Sequence, residues 1–257
     1  RLHLHNKVGS TTVKIHIEIF MRKLIILIAA GLTCITWQPQ PVETDKPHIA
    51  FSFDDGNPQD ILTYKGADWN QMIVEHLKRN HINAAWFVAG KGIDNAKGKT
   101  LLYKWNEAGN VLANHTYSHL NYNNSQITCT RFVQDIVHCD SLLSGYTNYK
   151  KIFRYPYLKT GNTIAKRDSM RAFLQDQGYS QGWVTIDASD WYVNSRLIQR
   201  LKADSRADIA GFREFYINHI LERARYYNTL SKELNHRQIT HVVLLHFNLT
   251  SALFLGD

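Results

Sequence analysis

The chain has 257 residues, 44% of them hydrophobic and 12% aromatic, which is enough apolar material for one sizeable core and excludes a disordered chain. With 14 glycines and 5 prolines it is neither collagen-like nor low-complexity, and three cysteines cannot form a disulfide scaffold. Half of the net charge of +8 falls in residues 1–37, and no run of Lys and Arg with interleaved aromatics follows, so no nucleic-acid partner is expected.

Residues 21–37 begin with Met21-Arg22-Lys23, continue from Leu24 to Ala30 without a polar residue, and then reach Gly31-Leu32-Thr33-Cys34. A basic start, a short apolar run and small residues are the order of a secretory signal, and the run is too short to span a bilayer comfortably. Cys34 is a candidate for lipid attachment, although Gly31-Leu32-Thr33 fits a lipobox imperfectly. Residues 1–20 precede Met21 and read as an upstream extension; as an authentic segment, the alternation from Lys14 to Ile19 would suit a strand. Three of the five prolines fall in 38–47, which reads as a semi-extended linker, so the domain proper spans 48–257.

Within the domain, strand and helix alternate. Residues 48–53 read as a strand, 68–80 as a helix and 83–89 as a buried strand. A helix at 99–108 is closed by Gly109, and a strand at 111–113 leads into His115. Residues 125–143 read as a helix with Ile127, Phe132, Ile136 and Val137 on one face. Cys129 and Cys139 lie on this helix, about 15 Å apart along its axis and so beyond disulfide reach; both are expected as free, mostly buried thiols. A short strand at 152–153, a helix at 163–177, a strand at 183–186, a long helix at 209–234 and a strand at 241–245 complete the pattern. Such alternation predicts parallel strands with crossover helices, as an open sheet or a barrel.

Polar residues follow the strands directly: Asp54, His115, Arg154, Asp187 and His246. In such folds the ligand site lies at the carboxyl ends of the strands. Asp54-Asp55-Gly56 alone is an ordinary turn or cap. His115-Thr116-Tyr117-Ser118-His119 sets two imidazoles four residues apart, one turn of helix, so that both rings can face one metal ion. With Asp55 they supply two nitrogens and one oxygen, the donor set of a catalytic zinc with open positions.

Phe53-Asp54-Asp55-Gly56, the His115 and His119 pair, Arg154-Tyr155-Pro156-Tyr157, Asp187-Ala188-Ser189-Asp190-Trp191 and Leu244-Leu245-His246 resemble, in order, the five motifs of the polysaccharide deacetylases, the NodB homology domain of carbohydrate esterase family 4. The resemblance implies a distorted (β/α) barrel of seven to eight parallel strands. It also implies metal binding by Asp55, His115 and His119, with Asp54 as general base and His246 as general acid. Arg154 would hold Asp54, and Asp190 would orient His246. The Tyr157 backbone N–H would stabilise an oxyanion, while Trp191 and Leu244 would line the pocket for the acetyl methyl group. The implied cofactor is one divalent ion, zinc first, with cobalt or another divalent ion as alternatives. The third motif departs from the family's Arg-Pro-Pro-Tyr-Gly at Tyr155 and Leu158, which alters the expected groove.

The implied activity is removal of acetyl groups from N-acetylated, and also O-acetylated, carbohydrate by an exported protein in the periplasm, on the cell surface or secreted. Any membrane attachment is expected only through the signal segment or a lipidated Cys34. Two other readings compete: an inactive glycan-binding domain or gene fragment of the same fold, and an amidase acting on a small non-sugar amide. The resemblance further implies another helix and a closing strand after His246, of which 248–257 reads as the start cut short, so a truncated barrel is expected, with Leu249, Leu253, Phe254 and Leu255 exposed.

Overall fold

The computed structural model describes residues 46–257; the expected extension at 1–20, the signal at 21–37 with Cys34, and all but the end of the linker lie outside the described residues. The chain runs β1 (His48–Asp55), α1 (Gly66–Arg79), β2 (Ala85–Val88), α2 (Gly90–Ile93), α3 (Ala96–Glu107) and β3 (Val111–Asn114). It continues with α4 (Cys129–Leu143), β4 (Tyr149–Phe153), a 3-10 turn at Pro156–Leu158, α5 (Ile164–Asp176), β5 (Ser180–Gln181) and β6 (Ile186–Asp187). The last elements are α6 (Asp190–Ala203), α7 (Ala210–Asn235), β7 (Thr240–His246) and α8 (Leu249–Phe254). Side-chain caps set several boundaries: Asn95 accepts from the Gly98 N–H to start α3, Thr128 from Arg131 to start α4, and Thr163 from Lys166 to start α5.

The seven strands form one sheet in the order β5-β4-β3-β2-β1-β7-β6, every neighbouring pair parallel. The chain length between the edge strands requires this sheet to curl. Laid flat, seven strands would separate the two edges by about 29 Å. Yet Gln181 and Ile186, which belong to the opposite edges, are joined by four residues that reach at most about 18 Å. The result is the expected distorted barrel, with a short bridge in place of a pairing between β5 and β6. All strands being parallel, their carboxyl ends share one rim.

Three local expectations are corrected. Residues 183–186 do not form one strand: Gly182 N donates to Phe153 O at one sheet edge and Thr185 N to Val242 O at the other, while Trp183 is 59% exposed. Residues 182–185 are the bridge, and the strand begins only at Ile186, in β6. Val137 points outward, 51% exposed, because Phe132, Ile136, Cys139 and Leu143 set the buried stripe of α4. The end of the chain does not expose its apolar residues: Leu249 and Phe254 are buried and Leu253 and Leu255 half-buried, since α8 packs on α1, α6 and α7. Both cysteines are free, Cys139 buried and Cys129 half-buried. Burial pushes the Cys139 thiol up to about 12, leaving it unreactive.

The core beneath the rim is an aromatic cluster. The Phe247 ring stacks on Trp86 at 4.5 Å between centroids and meets Trp105 at 5.3 Å and Trp69 at 5.8 Å. Phe247 directly follows the last residue of β7, so its packing anchors the rim from below. Phe247→Ala is expected to cost about 3–5 kcal/mol, the scale for emptying a well-packed aromatic site, read as a shift of the urea midpoint.

Candidate active site

A cleft of about 420 Å³ opens at the carboxyl rim. Eight of the ten residues to which the resemblance gives a role line it: Asp54, Asp55, His115, His119, Tyr157, Trp191, Leu244 and His246. Leu158 and Asp187 complete the lining, and Arg154 and Asp190 stand behind Asp54 and His246. Strand register explains much of this convergence. β1 and β7 pair Asp54 with His246 and Ser52 with Leu244, and β6 pairs Asp187 with Leu244.

Consecutive residues of a strand face opposite sides, so Asp54 and Asp55 should diverge. Asp55 escapes by taking a left-handed conformation, φ 73°, and both carboxylates reach the cleft. Gly56 follows at φ 137°, where a Cβ would lie 2.5 Å from the Trp86 ring, so the turn requires glycine. The Trp86 indole N–H donates to Asp55 O at 2.7 Å and fixes the bend.

Asp54 is 3% exposed. Burial pushes its carboxyl above the usual range, opposed by the neighbouring charges of Arg154 and His246. Arg154, 1% exposed, donates from Nη1 to Asp54 Oδ1 at 2.5 Å and from Nε to Gly182 O at 2.9 Å, with its guanidinium 3.8 Å over the Phe87 ring. Asp54 is thereby held in one orientation.

His115 Nδ1 lies 2.8 Å from Arg154 O. A carbonyl oxygen only accepts, so Nδ1 carries the proton and Nε2 offers its lone pair to the cleft. Burial pulls the His115 pKa down to about 3, keeping the ring neutral. Its Nε2 stands 3.8 Å from Asp55 Oδ1, and His119 Nε2 stands 3.2 Å from the same oxygen. Asp55 Oδ1 is buried without a hydrogen-bond partner. The three donor atoms lie within 4.8 Å of one another. An orphaned carboxylate oxygen facing two imidazole nitrogens fits a divalent cation.

The two histidines converge through a tight loop and not through the turn of helix that their spacing suggested. Thr116 at φ 66° and His119 at φ 53° are left-handed. Asn114 Oδ1 accepts from Thr116 N at 2.9 Å, Thr116 Oγ1 from His119 N at 3.0 Å, and Asp135 Oδ2 from Ser118 N at 2.8 Å. Asn114 and Asp135 escaped the sequence reading because nothing in their local pattern marks a loop brace.

On the other side of the cleft, Asp190 is buried in the first turn of α6. Its Oδ1 lies 2.6 Å from His246 Nδ1, while Oδ2 accepts from His246 N and Asn248 Nδ2, each at 2.8 Å. Burial disfavours the His246 imidazolium, but the hydrogen bond and charge of Asp190, aided by Asp54 and Asp55, outweigh it and push the pKa up to about 9. Asn248, also missed in the sequence, caps α8 through Ser251 N and steadies Asp190 with its amide. Asp187 instead accepts from Ser189 N in a local turn. Tyr157 and Leu158, both left-handed, project into the cleft, the Tyr157 ring 4.6 Å from that of His119. Leu244 is buried and Trp191 exposed along the opposite wall.

The family profile described as polysaccharide deacetylase matches residues 42–179, a span that takes in Asp54, Asp55, His115, His119, Arg154 and Tyr157. The peptidoglycan-N-acetylglucosamine deacetylase of Bacillus cereus is 24% identical over 148 residues, covering 57% of this chain and 47% of that protein; the chain thus matches about half the length of this relative. The family 4 carbohydrate esterase from Streptomyces lividans, solved in complex with acetate, aligns with a TM-score of 0.51 at 19% identity, over 82% of this chain and 84% of that one. A mutant of a CE4 family pseudoenzyme with restored enzymatic activity aligns with a TM-score of 0.55 at 14% identity, over 82% and 60%. At these identities the structural matches carry the fold alone.

Proposed function

This chain belongs to the polysaccharide deacetylase family, and from that premise we propose that it is a metal-dependent hydrolase removing acetyl groups from N-acetylated carbohydrate, with O-acetyl esters as a second substrate type. The observation that carries the reading is the unpartnered Asp55 Oδ1 facing His115 and His119, between an arginine-held Asp54 and an aspartate-held His246. Zinc is the proposed ion, with cobalt or another divalent ion as alternatives, because this donor set accepts several. When bound, the ion supplies Lewis acidity toward the acetyl carbonyl and makes water acidic near neutral pH.

The chain's own residues do the proton work. Asp54, fixed by Arg154, takes a proton from the attacking water. The water oxygen bonds to the acetyl carbon, the C–N bond breaks, and His246 gives its proton to the departing nitrogen, so acetate and a free amine leave. The Tyr157 backbone N–H is assigned to the oxyanion, and Trp191 and Leu244 to the acetyl methyl group. Export is part of the proposal, supported by the order of charged, apolar and small residues at 21–34; among the described residues no helix is long and apolar enough to cross a membrane.

The test is acetate release from N-acetylglucosamine oligomers and from peptidoglycan, with and without chelator. Release that stops on chelation and returns with added zinc supports the reading. Glycan binding without release under any divalent metal overturns it in favour of an inactive domain.

The pH profile follows with its signs. Activity needs Asp54 unprotonated and His246 protonated, so kcat/KM should rise through a value above the ordinary carboxylate range and fall through about 9. Asp190→Asn removes the charge that raises His246, so the alkaline limb should move to lower pH. Stability shares the sign: with a folded pKa above the usual 6.5, His246 contributes below that value and the contribution is lost as pH rises through about 9.

A further inference from the structure

Outside the cleft, α7 meets the His246 side of the site at two points. Tyr216 and His219 stand three residues apart on this helix, so they share one face. One contacts the segment that carries Asp190, and the other contacts the segment that carries His246. His219 Nε2 lies 3.1 Å from Ala188 O. A carbonyl oxygen only accepts, so Nε2 carries the proton and donates. The Phe215 ring, one turn earlier on α7, stacks on this imidazole with 5.2 Å between centroids and 12° between planes, which fixes the plane of the ring. Ala188 belongs to the loop before α6, where Ser189 is left-handed at φ 49° and gives the helix no side-chain cap. The Asp187 turn in this loop is local, whereas the His219 bond ties the loop, and Asp190 just after it, to a different helix.

The second contact runs through α8. Ser251 Oγ lies 3.1 Å from His246 O and 3.3 Å from the Tyr216 hydroxyl. The carbonyl takes the single Ser251 proton, so Tyr216 is the donor in the other bond. Both side chains are buried, and no bulk water competes for these bonds. One helix therefore holds the backbone of His246 and the loop of Asp190 at once.

Such a hold has work to do. Asp190 opens α6 and His246 closes β7, while the pairing of β6 with β7 ends at Asp187 and Leu244, short of both. A misplacement of about 1 Å in a catalytic group can cost about 100-fold in rate. We propose that α7 is the brace of this pair, with His219 and Tyr216 as positioning residues that keep Asp190 in register with His246 Nδ1. The proposal rests on the reading of His246 as general acid. α7 lies beyond the residues that the family profile matches.

The experiment follows the His246 Nδ1 proton by NMR in the full chain, together with acetate release from N-acetylglucosamine oligomers. In a bond of 2.6 Å to a carboxylate this proton resonates downfield, and its loss in His246→Ala assigns it. His219→Ala and Tyr216→Phe should each move the resonance upfield and lower kcat about tenfold, the scale of one lost hydrogen bond, with KM unchanged. His219→Gln keeps a side-chain N–H donor and should restore both. In the Asp190→Asn background, His219→Ala should lower kcat no further, because the contact acts through Asp190. A resonance unmoved in both single variants overturns the brace, whatever their melting temperatures, and so does an undiminished loss of kcat in the Asp190→Asn background. Should His219→Ala fail to fold, Tyr216→Phe removes one oxygen and carries the test. If the parent releases no acetate, the resonance alone decides: its movement in the variants supports the brace, and its constancy overturns it.

Discussion

His115→Ala is expected to remove the divalent ion and the acetate-releasing activity together. Three donors are the fewest that hold such an ion with an open position, and His115 is the most buried of the three, its ring fixed by the Arg154 carbonyl. Losing an outer partner of a metal-bound histidine typically costs 10–100-fold in affinity, so losing the histidine itself should cost more than about 100-fold. Metal per chain after dialysis, measured by plasma mass spectrometry, should fall with activity. His119→Ala and Asp55→Ala should follow the same course. A His119→Ala protein that binds zinc like the parent would show that the ligand set is misassigned.

Asp54→Asn separates proton transfer from metal binding. The ion should stay while kcat falls by about 10²–10⁴-fold, the span of lost acid–base catalysis. The change also leaves Arg154 as a buried cation without its counter-charge, and breaking a buried pair from one side costs about 3–5 kcal/mol. Asp54→Asn should therefore melt below the parent. Adding Arg154→Met should recover much of that stability while leaving the protein inactive. A single variant as active as the parent would remove Asp54 from its role.

The parts of the site carried by residue type were legible in the sequence: two adjacent carboxylates, two imidazoles four apart, and charged residues at strand ends. The alternation of apolar runs likewise gave the parallel sheet, since strands buried on both faces read as continuous hydrophobic segments. What stayed hidden depends on backbone conformation and on partners distant in sequence. Nothing about Asp55 itself announces the left-handed turn that brings it beside Asp54. The apolar composition of 183–186 suits a strand, and only the four-residue limit between sheet edges makes 182–185 a bridge. Asn248 carries no mark of its part in the site, because its amide meets Asp190 only after β7 is seated. Leu249 and Phe254 would be exposed on an isolated end, but α1 and α7 are there to cover them.

The register of β1 against β7 has a consequence for how the molecule becomes active. Asp54 and His246 are neighbours across two central strands, yet they lie 192 positions apart in the chain. At about 5–20 residues per second, a ribosome adds that stretch in roughly 10–40 s. Throughout that interval β1 lacks one of its two neighbours, and its unpaired edge is open to other chains. Asp54, Asp55, His115, His119 and Arg154 can all be in place before His246 arrives. The return of catalysis in a refolding experiment should therefore trail the recovery of helical signal, timed by the longest-range pairing in the sheet. Activity here is a report that the last strand has docked.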